Sequence, residues 1–109
     1  MRNGLYSVQF GVGGNVGSGA VTFRDGQVSG GDAGFAYAGT IDQDGNQLSG
    51  TIDIWEHTPG QENVFAGLKK FTLEMVGTAT NEERAGLSGT TPAAPGQSVK
   101  VSMQLIRPL

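Results

Sequence analysis

The sequence has 109 residues, a formal net charge of −3 at pH 7, no cysteine and 19 glycines. This length suits one domain over residues 1–109, the lack of cysteine excludes disulfides and thiolate metal sites, and the negative charge argues against nucleic-acid binding. Because glycine carries an entropic cost in regular structure, so many glycines favour a fold rich in tight turns, bulges and sharply bent strands.

Alternating apolar and polar residues predict short β-strands along most of the chain. The runs cover residues 6–10, 20–24, 27–29, 35–41, 47–57, 71–75 and 99–105. A further strand is expected around 87–90, in one copy of a weak repeat that places glycine near the middle of a strand. The total is eight strands.

Turn residues separate these runs. Asp25-Gly26 has the composition of a type I′ hairpin turn. Turns are also predicted at residues 13–15 and 44–46. Residues 58–68 form the longest connection, and hairpins are expected at all other positions.

These features predict an all-β fold, an eight-stranded antiparallel up-and-down barrel of the lipocalin or calycin kind. Mid-strand glycines permit the strong coiling of a small closed barrel, and closure removes exposed edge strands. A two-sheet β-sandwich is the alternative, because the number of strands alone does not separate the two folds.

An eight-stranded barrel has an interior just wide enough to be filled by side chains or to hold one small ligand. The alternation assigns twelve residues to this interior: Tyr6, Val8, Phe10, Phe35, Tyr37, Ile52, Ile54, Phe71, Leu73, Met75, Val101 and Met103. Because many of these side chains are aromatic or methionine, we expect them to fill it.

No combination of residues indicates catalysis. His57 is the only histidine and stands at a strand end, and no Gly-x-Ser-x-Gly motif occurs. Asp42-Gln43-Asp44-Gly45-Asn46 partly resembles a calcium loop but lacks its bidentate acid at the twelfth position. We therefore expect a protein that is not an enzyme and has no cofactor or metal.

Two regions could contact another molecule. Trp55 falls on the polar face of its strand, where a tryptophan is often an interface anchor, unless a bulge turns it inward or the 58–68 segment covers it. Val64, Phe65 and Leu68 lie on the long connection, where they either cap the barrel or meet another chain.

The sequence has no signal-peptide pattern at its start and no apolar run long enough to span a bilayer as a helix. The prediction from these features is a cytoplasmic protein without membrane contact.

The first half of the chain resembles the GrlR family, negative regulators of type III secretion genes in enteric pathogens. The similarity rests on GLYSVQF at residues 4–10, GSGAVTFRDGQVSGGD at 17–32 and YAGT at 37–40, and IRPL at 106–109 is similar to the family's final strand. The likeness is strongest over residues 4–52.

The resemblance implies a lipocalin-like barrel that forms a homodimer and represses by binding a transcriptional activator. The family carries an exposed acidic run in the hairpin after the strand that ends near residue 40. Here only Asp42 and Asp44 remain of that run. The leading hypothesis is a homodimeric regulatory protein that binds a partner protein. Its partner-binding or dimer interface is predicted to include Asp42, Asp44, Trp55, Val64, Phe65 and Leu68. A small-ligand carrier of the lipid-binding kind is the alternative.

Overall fold

Eight antiparallel strands form one closed barrel in a computed structural model, which describes residues 1–61, 63–65 and 67–109. The strands are β1 (Gly4–Val12), β2 (Asn15–Arg24), β3 (Gln27–Gly31), β4 (Phe35–Asp44), β5 (Gln47–Glu56), β6 (Lys70–Ala79), β7 (Arg84–Thr90) and β8 (Val99–Pro108). Each strand pairs with the next, and β8 pairs with β1. The predicted up-and-down barrel is confirmed, and the β-sandwich alternative is wrong.

The hairpin turns follow from their residues. Asp25 and Gly26 both have positive φ, 49° and 83°, as a type I′ turn between β2 and β3 requires. In the β4–β5 turn, Gly45 alone has positive φ, 62°. These two-residue turns set the register that places alternate side chains inside the barrel.

The β7–β8 connection joins two paired antiparallel strands through a longer loop, which runs over residues 91–98. Consecutive turns build it: the Ala94 N–H donates to the Thr91 carbonyl oxygen (3.1 Å) and the Gln97 N–H to the Ala94 carbonyl oxygen (3.3 Å). Pro92 and Pro95 have no N–H to donate, so this stretch cannot extend the ladder as a regular strand.

The up-and-down topology sorts the connections between two ends of the barrel. Both termini and the turns at 25–26, 45–46 and 80–83 lie at one end, here called the terminal end. The 13–14 turn and the connections at 32–34, 57–69 and 91–98 lie at the other end, here called the mouth. The two longest connections therefore cover the mouth.

Close backbone approach explains the glycines in the middle of β4 and β5. A Cβ atom at Gly39 would overlap the Thr51 carbonyl oxygen, and a Cβ atom at Gly50 would overlap the Thr40 carbonyl oxygen. Each glycine thus lets its strand coil tightly against its neighbour. The sharp bending needed for closure depends on the absence of a side chain at these points.

Candidate functional site

Trp55 lies on the outer wall of the barrel near the mouth and is 39% exposed. Ile52 is buried and Ile54 half-buried on the opposite face of β5. The ladder of β5 with β4 and β6 is regular through Trp55, so no bulge turns this side chain inward.

Small uncharged residues lie beside Trp55 on the β4 side of the outer wall. The strand register places Ala20, Gly31 and Ala36 in one row with Trp55, and Lys70 follows on the far side. The next row towards the terminal end holds Thr22, Ser29, Ala38, Asp53 and Thr72. In this second row the Thr72 hydroxyl donates to the Asp53 carboxylate at 2.6 Å. Across β2 to β5, these two rows contain a single charged residue.

Asp42 and Asp44 lie at the terminal end, on the β4 side of the 45–46 turn, and both are exposed. Asp42 pairs with Ser49 of β5, six residues before Trp55. At about 3.3 Å per residue, this separates the acidic tip from Trp55 by roughly 20 Å along the barrel. The residues predicted to form one partner-binding region therefore occupy two separate places.

Val64 and Phe65 fill the mouth instead of projecting outward, with exposed fractions of 9% and 3%. The Phe65 ring packs edge-to-face on Phe71, with ring centroids 5.5 Å apart and an interplanar angle of 85°. Leu68 is half-buried against the same core. Of the two alternatives for these residues, burial of Val64 and Phe65 against the barrel core favours the cap, and their assignment to a partner-binding or dimer interface stays a prediction.

The interior is nearly filled. A cavity of about 90 Å³ remains near the mouth, and eleven of the twelve residues assigned to the interior line it. Tyr6 lies in the core beyond this cavity, with its hydroxyl donating to the backbone carbonyl oxygens of Arg2 and Glu82. A water molecule occupies about 30 Å³ of liquid, whereas pockets for drug-sized ligands measure about 300–1,000 Å³. The cavity as it stands is too small for a lipid.

A hydrogen-bonded cluster at the mouth was missed by the sequence reasoning. The Asp32 carboxylate accepts hydrogen bonds from the Gly34 N–H (3.0 Å), the Phe35 N–H (2.9 Å) and the Tyr37 hydroxyl. Burial raises the pKa of Tyr37, and the hydrogen bond to Asp32 and its negative charge raise that pKa further. Asp32-Ala33-Gly34 is a turn sequence in which aspartate commonly accepts from backbone N–H groups, so the turn was recognisable, although the partner Tyr37 was not.

His57 joins this cluster without forming a catalytic arrangement. Its Nε2 lies 2.9 Å from the Asp32 backbone carbonyl oxygen, and its Nδ1 lies 2.8 Å from the Thr58 hydroxyl. A general base of the serine-hydrolase type needs a nucleophile on one ring nitrogen and an orienting carboxylate on the other. Nε2 of His57 instead ties the start of the 57–69 connection to the 32–34 connection, and Nδ1 contacts the neighbouring Thr58 within the same connection.

Among residues 1–61, 63–65 and 67–109, no group of three or more histidine or acidic side chains is arranged to hold a metal ion. In the same part of the chain, no helix has the length and apolar character needed to cross a membrane. The single ion pair found among these residues joins Lys69 to Glu56 at 3.1 Å, beside the mouth.

No protein-family model matches the chain, and no curated protein shows significant similarity to it.

Proposed function

We propose that this chain is a non-enzymatic regulatory or interaction protein that binds another protein through its outer wall at Trp55. The single observation behind the proposal is that the only tryptophan of the sequence is 39% exposed on the outer wall, with small and almost uncharged residues on its β4 side.

The composition of this wall suits an interface. The cores of protein–protein interfaces are poor in charged residues and rich in aromatic ones. Tryptophan is also among the residues that most often dominate binding energy, since its ring buries a large apolar area while its N–H donates a hydrogen bond. A partner that covers the Trp55 ring and the adjacent Ala36 would gain this area without removing many charges from water.

The resemblance to the GrlR family supports the same function and extends it. It favours a cytoplasmic homodimer that acts on gene expression by binding a regulatory protein such as a transcriptional activator. The exposed acids Asp42 and Asp44 lie about 20 Å from Trp55 along the barrel. They are accordingly proposed as a second contact, available to a basic surface of the partner.

Replacing Trp55 with alanine is expected to abolish capture of a specific protein from the native cell by the immobilised chain. The matched control is Val76→Ala, because Val76 is also apolar, lies on the outer wall and is 62% exposed. That control should retain the partner at the wild-type level. Quantitative mass spectrometry of the captured proteins provides the measurement, and equal recovery by wild type and Trp55→Ala would contradict the proposed site.

The homodimer is tested by sedimentation equilibrium at tens of micromolar protein. The expected result is a mass of about twice the 11.3 kDa of the chain. A mass of one chain across this concentration range would remove the dimer from the proposal. The Trp55→Ala variant, run in parallel, tells whether self-association and partner capture use the same wall.

A second candidate function is a small-ligand carrier, favoured by the apolar cavity of about 90 Å³ inside the barrel. Apolar cavities of comparable size bind small apolar molecules, because such a space stays dry and its walls lack contact partners. This function would require a larger space than the closed barrel provides for any ligand with a long chain.

A further inference from the structure

Two spaces at the mouth share one wall. The inner cavity extends into the barrel, while an open recess lies outside it between the 13–14 turn, the 57–69 connection and residues 93–98. Val64 and Phe65 line both spaces. Displacing these two side chains would join the recess and the cavity into one continuous site.

The segment that carries this wall is held by contacts at its two ends. At its start the His57 N–H donates to the Gly34 carbonyl oxygen at 2.9 Å, and at its end the Glu56 N–H donates to the Lys69 carbonyl oxygen at 2.9 Å. Between these anchors, the Asn63 side chain accepts from the Phe65 N–H (2.7 Å) and donates to the Leu68 carbonyl oxygen. These inner bonds join residues of the connection to one another, so displacing Val64 and Phe65 breaks no hydrogen bond of the barrel's ladder.

Glycines mark both sides of the wall. Gly60 and Gly67 have φ values of 95° and 85°, and neither has another part of the chain within 4 Å of the position of a Cβ atom. Glycine tolerates a wide range of backbone dihedral angles, and the open space beside these two positions leaves room for the changes that hinge positions make. Val64 and Phe65 lie between them.

The lining predicts which molecules the joined site would accept. The cavity is bounded almost entirely by apolar side chains, and the Asp32 carboxylate lies at its edge. The described residues around the recess include no charged side chain, and their polar members are the neutral Asn15, Gln97 and Ser98. Such a site suits an alkyl chain inside and an uncharged polar group outside, whereas a carboxylate would find no positive partner and would meet the Asp32 charge.

We infer that Val64 and Phe65 form a movable plug, and that its displacement admits a neutral amphiphile with its alkyl chain in the barrel and its polar group in the recess. This inference rests on the carrier function, the second candidate above. Only molecules with the plug displaced can bind the ligand, so the apparent affinity equals the intrinsic affinity multiplied by the fraction of molecules in which the plug is open. Removing the plug's bulk should remove that reduction.

Methionine NMR offers a direct test, since the sequence has three methionines. Met75 and Met103 line the cavity, whereas Met1 lies at the terminal end and serves as an internal control. With methyl-labelled methionine, 1-octanol is expected to shift the Met75 and Met103 signals saturably and to leave the Met1 signal unchanged. Octanoate at neutral pH should bind roughly tenfold more weakly or worse, because a buried charge without a partner is costly.

Phe65→Ala is expected to bind 1-octanol about tenfold more tightly than wild type, because the plug no longer competes for the space. Val64→Ala is the smaller change for use if Phe65→Ala does not fold, and it should strengthen binding in the same direction. Val76→Ala, outside the barrel, should leave the affinity unchanged.

The outcomes separate the plug from the carrier function. Equal affinity for octanol and octanoate would contradict the preference for a neutral ligand. If neither Phe65→Ala nor Val64→Ala binds octanol more tightly, the plug is contradicted. In both cases, shifts of Met75 and Met103 would still support binding inside the barrel. If neither compound shifts Met75 or Met103 in wild type or variants, the carrier function and the plug both fail.

Discussion

Gly50→Ala is expected to lower the free energy of unfolding by about 1–3 kcal/mol, the usual cost of forcing extra atoms into a packed site. The added methyl group would overlap the Thr40 carbonyl oxygen and come within 2.9 Å of the Ile41 Cα atom. Both are backbone atoms, which cannot rotate away as a side chain does. The β4–β5 pair would have to separate at the point where the barrel bends.

Gly86→Ala is the matched control for this prediction. Gly86 also lies inside a strand, β7, but a Cβ atom there would have no neighbour within 4 Å. The substitution should leave stability unchanged or raise it by about 0.4–1 kcal/mol, because alanine reduces the entropy of the unfolded chain. Urea unfolding followed by circular dichroism measures both variants. Equal stability of Gly50→Ala and Gly86→Ala would show that the close approach at Gly50 does not sustain the barrel.

Alkaline pH is expected to unfold the protein through its two tyrosines, Tyr6 and Tyr37. Burial raises the pKa of both side chains above the ordinary value of 10.0. The charge of Glu83 adds to this effect for Tyr6, and Asp32 adds to it for Tyr37. A raised pKa means that the folded state holds the proton more tightly than the unfolded state.

The sign of the pH effect follows directly. The contribution of the two protonated phenols to the free energy of unfolding is fully present below about pH 10. It decreases as the pH rises above that value, at up to about 1.4 kcal/mol per pH unit for each tyrosine. Absorbance at 295 nm, which reports phenolate, should therefore rise at higher pH than for a free tyrosine, and the part due to Tyr37 should rise together with the loss of the circular dichroism signal.

Tyr37→Phe provides the control for this titration. It removes one phenol, so the dependence of stability on pH above 10 should decrease by up to about 1.4 kcal/mol per pH unit. A rise in phenolate absorbance near pH 10 while the circular dichroism spectrum stays native would contradict the raised pKa values.

The strands and the barrel were predictable because their signals are local. Alternation in residues 99–105 and the Asp25-Gly26 turn specify strand faces and hairpin geometry over a few residues. The same alternation assigned Trp55 to the outer face of β5, where the structure places it. Repeated mid-strand glycine also indicated closure, and the close approach of Gly50 to the β4 backbone supplies the physical reason.

The candidate sites depend on how the connections between strands pack against the barrel, which the alternation within a strand does not specify. Phe65 caps the barrel because its ring packs against Phe71. The Asp32 turn becomes part of a hydrogen-bonded cluster because the fold places the Tyr37 hydroxyl next to its carboxylate. The distance between Trp55 and Asp42 follows from the register of the β4–β5 hairpin. Local sequence thus determines which face of a strand a side chain occupies, whereas closure of the barrel decides which side chains meet at each end.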